Sequence, residues 1–207
     1  MSYVASISYG KDSLKMLDVI KTRELPLDRI ITFDVWATDE TSADLPEVTE
    51  FKKRMDDYIK NKYRIEVEHL CARYKDGSKV TYEKNFYRVR TKGYKGGEIV
   101  GFPFQRGAWC NSMLKMKAKQ GAVKAKDVQY IGIAYDEPKR QGRLNERLIA
   151  PLVDFGIDED LCGLHCKYEG ILSPSYESSH RDGSVQPEFS NPNSLRSQRR
   201  ILANCSG

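Results

Sequence analysis

The sequence predicts an α/β fold of three layers, in which an open parallel sheet carries helices on both faces. Short apolar runs typical of buried strands alternate with longer segments whose apolar residues recur at helical spacing. The first apolar run passes through a short glycine-containing loop directly into a helical pattern. The order of strand, helix, strand, helix and strand that follows is typical of parallel βαβ units with right-handed crossovers.

The first five elements are predicted in chain order. Tyr3–Ile7 is the first strand, and the helix after it should end near Arg23, shortly before a proline. Arg29–Phe33 is a second buried strand. A helix is predicted over residues 46–62, because a proline suits its first turn and the apolar spacing is amphipathic. Residues 65–70 alternate apolar and polar side chains and predict a third strand.

The loop between the first strand and the first helix reads Ser8-Tyr9-Gly10-Lys11-Asp12-Ser13. A glycine lets the backbone approach a ligand closely, and the first N–H groups of a helix have no partner within the helix. Such a helix N-terminus favours anions, and Lys11 adds a full positive charge. The loop therefore predicts a phosphate site, although it is too short for a Walker A loop. The alternative is an ordinary strand-to-helix turn, capped by an aspartate or a serine.

Further polar candidates follow the second strand. Asp34 stands at the carboxyl end of that strand, where open parallel sheets bind their ligands. Thr38 and Glu40 lie in the polar loop that comes next. We expect a ligand at this end of the strand, with a plain surface loop as the alternative for the residues after it.

Another strand is predicted at residues 128–134, and a polar loop follows it. Arg140 in this loop is a candidate phosphate contact, because a guanidinium group binds phosphate through two hydrogen bonds. Arg143 and Arg147 could supply similar charge. The alternative is a solvated basic loop.

The composition describes a soluble globular protein that is large enough to bury a core. Of its 207 residues, 40% are hydrophobic and 30% are charged. No apolar run approaches membrane-spanning length, and the N-terminus lacks the pattern of a signal peptide. The five cysteines are scattered, which argues against a secreted disulfide framework. We therefore expect a cytoplasmic protein without a membrane partner.

Positive charge is concentrated between residues 72 and 126, where 14 Lys and Arg stand against 3 Asp and Glu, a local charge of +11. Eight aromatic residues are interleaved with them. Positive charge attracts a nucleic-acid backbone, and exposed aromatic rings can stack on bases. The segment predicts weak contact with tRNA or DNA, and its irregular part, residues 72–99, is predicted to be an insertion or lid. The alternative is a solvated basic surface whose aromatics belong to the core.

Three motifs resemble those of known proteins. The loop resembles the Ser-Gly-Gly-Lys-Asp-Ser signature of the PP-loop ATP pyrophosphatases, with Tyr9 in place of the first glycine. The segment from Trp109-Cys110 to Leu114-Lys115 resembles the Arg-Trp-Cys-Thr-x-x-Leu-Lys segment of proteins like the phosphoadenosine phosphosulfate (PAPS) reductases. A Gly-Ile-Arg…Glu-Ser…Arg segment of the same family is matched at Gly132, Ile133, Glu137 and Arg140, but not at Ala134 and Pro138.

This resemblance covers roughly residues 1–183. It implies the Rossmann-like fold of the adenine nucleotide alpha hydrolase-like superfamily and an adenine nucleotide as ligand. Lys11, Asp12 and Arg140 are implied to be catalytic, and Asp12 is implied to place Mg²⁺. The residues implied to bind ATP are Ser8, Tyr9, Gly10, Lys11, Asp12, Ser13, Asp34, Thr38, Glu40, Arg106, Lys115, Gly132 and Glu137.

The implied activity is cleavage of ATP between the α- and β-phosphates, with transfer of AMP to an acceptor. The acceptor would be a nucleic acid or a small molecule that is then thiolated or amidated. Retention of both Lys11 and Asp12 favours ATP, because a triphosphate needs more screening charge than PAPS presents at this loop. Two alternatives stay open: a sulfonucleotide (PAPS or APS) reductase, and a nucleotide- or nucleic-acid-binding module that has lost catalysis.

The C-terminal part departs from the family. Phage-type relatives carry an Arg-x-Gly-Cys-Trp-Phe-Cys motif, but residues 184–187 read Ser-Val-Gln-Pro where the two cysteines would be. We predict a nucleotide-binding domain at 1–155, a helical or loop extension at 156–183 and a flexible polar tail at 184–207. A metal site at Cys162, His165 and Cys166 is considered, although their spacing fits no common zinc motif. Cys110 is expected to be a small buried hydrophobe rather than a catalytic thiol.

Overall fold

Five short strands form one sheet in the computed structural model, which describes residues 1–93, 95–102 and 109–177. Every pairing in this sheet is parallel, and the strand order is β3-β2-β1-β4-β5. The strands are β1 (Tyr3–Ile7), β2 (Arg29–Phe33), β3 (Val67–Leu70), β4 (Val128–Ile131) and β5 (Leu148–Ile149). The predicted α/β fold with an open parallel sheet is confirmed.

The helices connect the strands and extend beyond the last one. They are α1 (Lys11–Thr22), α2 (Pro46–Tyr63), α3 (Tyr82–Phe86), α4 (Lys117–Ala122), α5 (Pro138–Gln141), α6 (Pro151–Asp154), α7 (Glu159–Tyr168) and α8 (Pro174–Glu177). A π-helix at Asn111–Met116 leads directly into α4. In the part of the chain that the structure describes, no helix has both the length and the apolar character needed to cross a bilayer.

The two faces of the sheet bury different sets of side chains. Ala5 and Ile7 of β1 and Tyr130 of β4 pack with α1, α2, α6 and α7 in the larger core. Phe33, which faces the other side of the sheet, packs with Leu114 of the π-helix in a smaller core. Successive residues of a strand face opposite sides, so this division places helices on both faces and gives the three predicted layers.

The strand order creates a switch point between β1 and β4. From β1 the chain proceeds outward to β2 and β3, and it then returns past β1 to β4 and β5. The connection after β1 therefore leads to a strand on one side of β1, and the connection after β4 leads to a strand on the other side. In open parallel sheets the crevice outside the strand ends at such a point is where ligands bind.

Several predicted boundaries shift in the structure. The third strand begins at Val67 rather than at residue 65, and β4 ends at Ile131 rather than continuing to residue 134. Ile133 and Ala134 are buried although they lie outside the strand, which explains why an apolar run predicted a longer one. The segment 72–99, predicted as irregular, contains α3 and two short antiparallel bridges, Arg73 with Lys79 and Val89 with Ile99.

Candidate functional site

The loop Ser8–Ser13 lies at the switch point and delivers the N-terminus of α1 to the crevice. Gly10 is the N-cap residue, and because it has no side chain it makes no capping hydrogen bond to the helix. The aspartate or serine cap that the alternative interpretation expected is therefore absent, because glycine stands at the cap position. A twelve-residue helix without such a cap presents backbone donors and the positive end of its dipole to an anion.

Tyr9 is the residue that makes the bend. Its φ of 57° lies in the left-handed region, whereas the φ of Gly10 is −78°. The Tyr9 ring is buried, and its hydroxyl donates a short hydrogen bond to Asp56 on α2. Burial raises the pKa of Tyr9 far above its usual value, and the hydrogen bond to Asp56 adds to the effect. The predicted ligand residue Tyr9 thus directs its side chain into the core, and only its backbone belongs to the loop.

Ser13 stabilises the loop by hydrogen bonds, and Gly132 packs closely against it. The buried Ser13 hydroxyl donates to the Gly10 carbonyl at 2.9 Å and accepts from the Ser8 backbone N–H at 3.3 Å. Gly132, directly after β4, lies so close to α1 that a Cβ there would be 2.8 Å from the Ser13 nitrogen. Because Gly132 has no side chain, the chain after β4 can pack directly against the start of α1.

Lys11 is engaged by two carboxylates. Its ammonium group is 2.7 Å from Glu159 Oε2 at the start of α7 and 3.4 Å from Asp12 Oδ1. Burial would lower the pKa of Lys11, but the hydrogen bond to Glu159 and the charge of Asp12 raise it above its ordinary value. Lys11 is accordingly a cation at neutral pH, and it lies at the N-terminus of α1.

Asp12, Glu137 and Glu159 form an acidic group around Lys11. One carboxylate oxygen from each lies within 4.8 Å of the others. Asp12 Oδ1 is buried and accepts no hydrogen bond from any residue that the structure describes. Burial raises the pKa of Asp12, against the lowering effect of Lys11. Asp12 Oδ1 does contact the Lys11 ammonium group at 3.4 Å, as an ion pair without a hydrogen bond. Three converging carboxylates are a donor set that suits a hard cation such as Mg²⁺.

Arg140 reaches this group only through Glu137. Its Nη1 lies 2.7 Å from both Glu137 oxygens, and half of its side-chain surface is exposed. Glu137 also accepts a hydrogen bond from the Ala134 backbone at 3.2 Å. Glu137 and Arg140 thus pair with each other in the segment after β4, and the Arg140 side chain is the more exposed of the two.

A second polar cluster lies at the carboxyl ends of β2 and β3. His69 Nδ1 is 2.8 Å from Asp34, and His69 Nε2 is 3.1 Å from Asp56. The hydrogen bond with Asp34 raises the pKa of His69 above its ordinary value. Burial acts to raise the pKa of Asp34, but the hydrogen bond with His69 and its charge outweigh burial and lower it. Asp34 is therefore part of an internal network that also contains Lys52, 3.4 Å away.

Tyr176 closes the loop from the C-terminal side. Its hydroxyl would lie 3.2 Å from a Cβ built at Gly10, and it accepts a hydrogen bond from the Lys11 backbone N–H. This hydroxyl is an uncharged oxygen at the position where a helix N-terminus attracts an anion. Burial raises the pKa of Tyr176, and the nearby charge of Asp12 adds to this.

The remaining predicted residues lie apart from the loop or outside the described residues. Thr38 Oγ1 accepts hydrogen bonds from the backbones of Glu40 and Thr41 and so stabilises its own turn, while Glu40 is exposed. Lys115 is exposed on the π-helix. Arg106 lies within residues 103–108, which the structure does not describe, and the predicted tail at 184–207 also lies outside the described residues.

The cysteines do not form the considered metal site. Cys162 and Cys166 are fully buried on the face of α7 that packs against α1, and Cys166 Sγ points to the Lys11 carbonyl at 3.6 Å. Burial raises the pKa of both thiols, that of Cys166 to about 11. Within the described residues, the acidic group is the one set of three close ligand atoms, and it includes no cysteine or histidine. Cys110, expected to be buried, is half-buried beside the smaller core.

Three residues of the two polar clusters, Glu159, His69 and Asp56, have no signal in the sequence. Glu159 lies 148 residues from Lys11 along the chain and contacts it only because α7 packs on α1. His69 and Asp56 are joined to Tyr9 in the same tertiary way. Comparison of the chain with family models, with curated proteins and with solved structures found no match.

Proposed function

We propose that this chain is a cytoplasmic ATP-binding PP-loop protein of the PAPS-reductase-like family, with the adenine nucleotide alpha hydrolase-like fold. The observation that carries the proposal is the N-terminus of α1, which lies at the switch point and holds Lys11 at its first position. Gly10 provides no side-chain cap, and the one side-chain acceptor described there is the uncharged Tyr176 hydroxyl. Ser8, Gly10 and Ser13 would surround the pyrophosphate portion of ATP. Lys11 and, after release from Glu137, Arg140 would stabilise the charge that develops there.

The proposed reaction is adenylyl transfer. An acceptor oxygen attacks the α-phosphorus, the bond to the bridging oxygen of the β-phosphate breaks, and pyrophosphate leaves with that electron pair. The acceptor would be a nucleic acid or a small molecule. Asp12, Glu137 and Glu159 fit a divalent cation, which when bound would screen the negative charge of the triphosphate. The reductase alternative needs an accessible thiolate, whereas Cys162 and Cys166 are buried and have raised pKa values.

Calorimetry with ATP and with adenosine tests the phosphate site. Lys11→Ala should weaken ATP binding at least tenfold, about 1.4 kcal/mol, and leave adenosine binding unchanged. Lys21→Ala is the matched control, since Lys21 lies ten residues further along the same helix, about 15 Å away. Equal losses for the two ligands would mean that Lys11 does not face phosphate. Tenfold tighter binding of PAPS than of ATP would overturn the choice between the two families.

Glu159→Gln tests the cation site separately. Without Mg²⁺, pyrophosphate should bind more tightly to this variant, because a competing carboxylate has been removed from Lys11. With Mg²⁺ present, the variant should lose affinity, because one of the three carboxylates has been removed. Asp160→Asn is the matched control, as Asp160 is the neighbouring, exposed acid. The same change in both conditions would argue against a cation at this position.

A further inference from the structure

An open aromatic pocket lies outside the site described above. It is lined by Tyr82, Glu83, Phe86, Tyr87, Phe102 and Trp109, and it has a volume of about 240 Å³. Tyr87 is 64% exposed and Phe102 73% exposed, which is unusual for large aromatic side chains in a folded unit. The pocket therefore joins two exposed rings to Tyr82 and Trp109, which pack against the smaller core.

The rings are held in place by short-range contacts. Phe86 makes edge-on contacts with both Tyr87 and Phe102, at centroid distances of 4.9 and 4.7 Å. The Trp109 indole N–H donates to the Gly101 carbonyl at 3.2 Å. Edge-on pairs leave ring faces free for a further planar group, and prior ordering of the rings reduces the entropic cost of binding it.

Two exposed cations, Arg88 and Lys92, lie in the segment that directly follows Tyr87. Arg88 directly follows Tyr87, and its carbonyl pairs with the Val100 backbone at the base of a two-stranded ribbon. Lys92 lies near the turn of that ribbon at Gly93. Both side chains are exposed, and neither forms an ion pair with any other residue that the structure describes. They belong to the segment 72–126 with its local charge of +11.

The helix α3, which lines the pocket, is attached at the carboxyl ends of the strands, where the candidate site also lies. The first N–H groups of α3 donate to the carbonyls of Trp36 and Ala37, in the loop that follows the carboxyl end of β2. A ligand strand held at α3 would thus run along the same edge as the loop Ser8–Ser13. Exposed aromatic rings in a segment of strong positive charge match a chain that alternates planar bases with phosphates, although Glu83 adds one negative charge to the pocket lining.

We infer that this pocket binds an unpaired base of a single-stranded nucleic acid, with Arg88 and Lys92 contacting the adjoining phosphates. The inference deepens the proposed function, because it names the class of acceptor. An apolar peptide would match the rings but not the positive charge of the segment, so charge complementarity favours the nucleic acid. Binding here needs no ATP, which separates the fate of this inference from that of the nucleotide site.

The test is binding of fluorescein-labelled twelve-residue RNA and DNA strands, measured by anisotropy without nucleotide. Phe102→Ala and Tyr87→Ala should each weaken binding by about fivefold or more, the loss expected for one stacked base. Phe102→Leu should show nearly the same loss, because it keeps an apolar side chain without a ring face. Tyr168→Ala is the control, since Tyr168 is 90% exposed and lies outside the pocket.

A salt series completes the test. Arg88→Ala and Lys92→Ala should each reduce the slope of log K against log salt by about 0.7, the value for one phosphate contact on a single strand. A preference for RNA or DNA would identify the acceptor. Wild-type affinity in Phe102→Ala and Tyr87→Ala would overturn the base pocket, and binding that is flat with salt would overturn the phosphate contacts. Failure of both strands to bind, with self-association that Phe102→Ala abolishes, would assign the surface to a second copy of the chain instead.

Discussion

Replacing Gly132 by alanine tests the packing on which the candidate site depends. A Cβ at this position would lie 2.8 Å from the nitrogen and 2.9 Å from the Cα of Ser13, and 3.0 Å from the carbonyl carbon of Asp12. Ordinary contacts between such atoms are about 3.5 Å, so β4 or the start of α1 must move by roughly half an ångström. The neighbours are backbone atoms of a helix, which cannot turn away as a side chain could.

We expect Gly132→Ala to lower the free energy of unfolding by about 1–3 kcal/mol, the usual cost of overpacking a well-packed position. Urea unfolding followed by circular dichroism measures this directly. Gly142→Ala is the matched control, because no atom lies within 4 Å of its Cβ position and its φ is −60°. The control should stay within about 0.5 kcal/mol of the wild type. An unchanged unfolding midpoint in Gly132→Ala would refute the close approach of β4 to α1.

Three further predictions concern single side chains. His69→Gln should destabilise the protein most below pH 6.5 and progressively less above it, because a raised histidine pKa stabilises the fold only while the proton is bound. Urea unfolding of the variant and the wild type from pH 5 to 9 measures this, and a pH-independent difference in unfolding free energy would contradict it. Tyr176→Phe should bind pyrophosphate two- to tenfold more tightly by calorimetry, because the Lys11 N–H no longer has the hydroxyl as a partner, whereas Tyr168→Phe should change nothing. Weaker binding in Tyr176→Phe would instead make the hydroxyl a phosphate ligand. Alkylation mapped by mass spectrometry should modify the partly exposed Cys71 and Cys110 well before the buried Cys162 and Cys166. ATP cleavage should survive in Cys110→Ala, and a folded variant that lost only the catalytic step would restore a thiol mechanism.

Local sequence patterns predicted the half of the fold that local interactions determine. β1 and β2 were predicted with their observed bounds, and α2 begins at the predicted proline, because buried strands and helix starts leave signals within a few residues. The two-residue strand β5 has no such signal, since its two residues form a strand only by pairing with β4. The end of β4 was predicted too late, because burial outside a strand produces the same apolar run as burial within it.

The candidate site divides in the same way. Lys11 was predicted from its place at the start of the first helix, whereas Asp12 and Glu137 were implied by the family resemblance. Asp12 and Glu137 do lie close together, and Lys11 contacts Asp12. Glu159 was missed, because nothing near it indicates that α7 will pack beside α1. Thr38 was implied by the family resemblance to bind ATP, but its hydroxyl is used by its own turn. A local hydrogen bond of this kind cannot be seen in a motif or a spacing pattern.

The buried ring of Tyr9 restricts what can stand at the bend. A left-handed backbone costs an ordinary residue about 1–2 kcal/mol, and only glycine avoids this cost. Tyrosine offsets it by anchoring its hydroxyl to Asp56 on α2. A phenylalanine, leucine or valine would keep the strain and lose the anchor. Glycine would remove the strain but leave the space of the buried ring empty. In a saturation library, phenylalanine should therefore be depleted at position 9 although its ring matches in size, because tolerance there depends on backbone strain and anchoring as well as on packing.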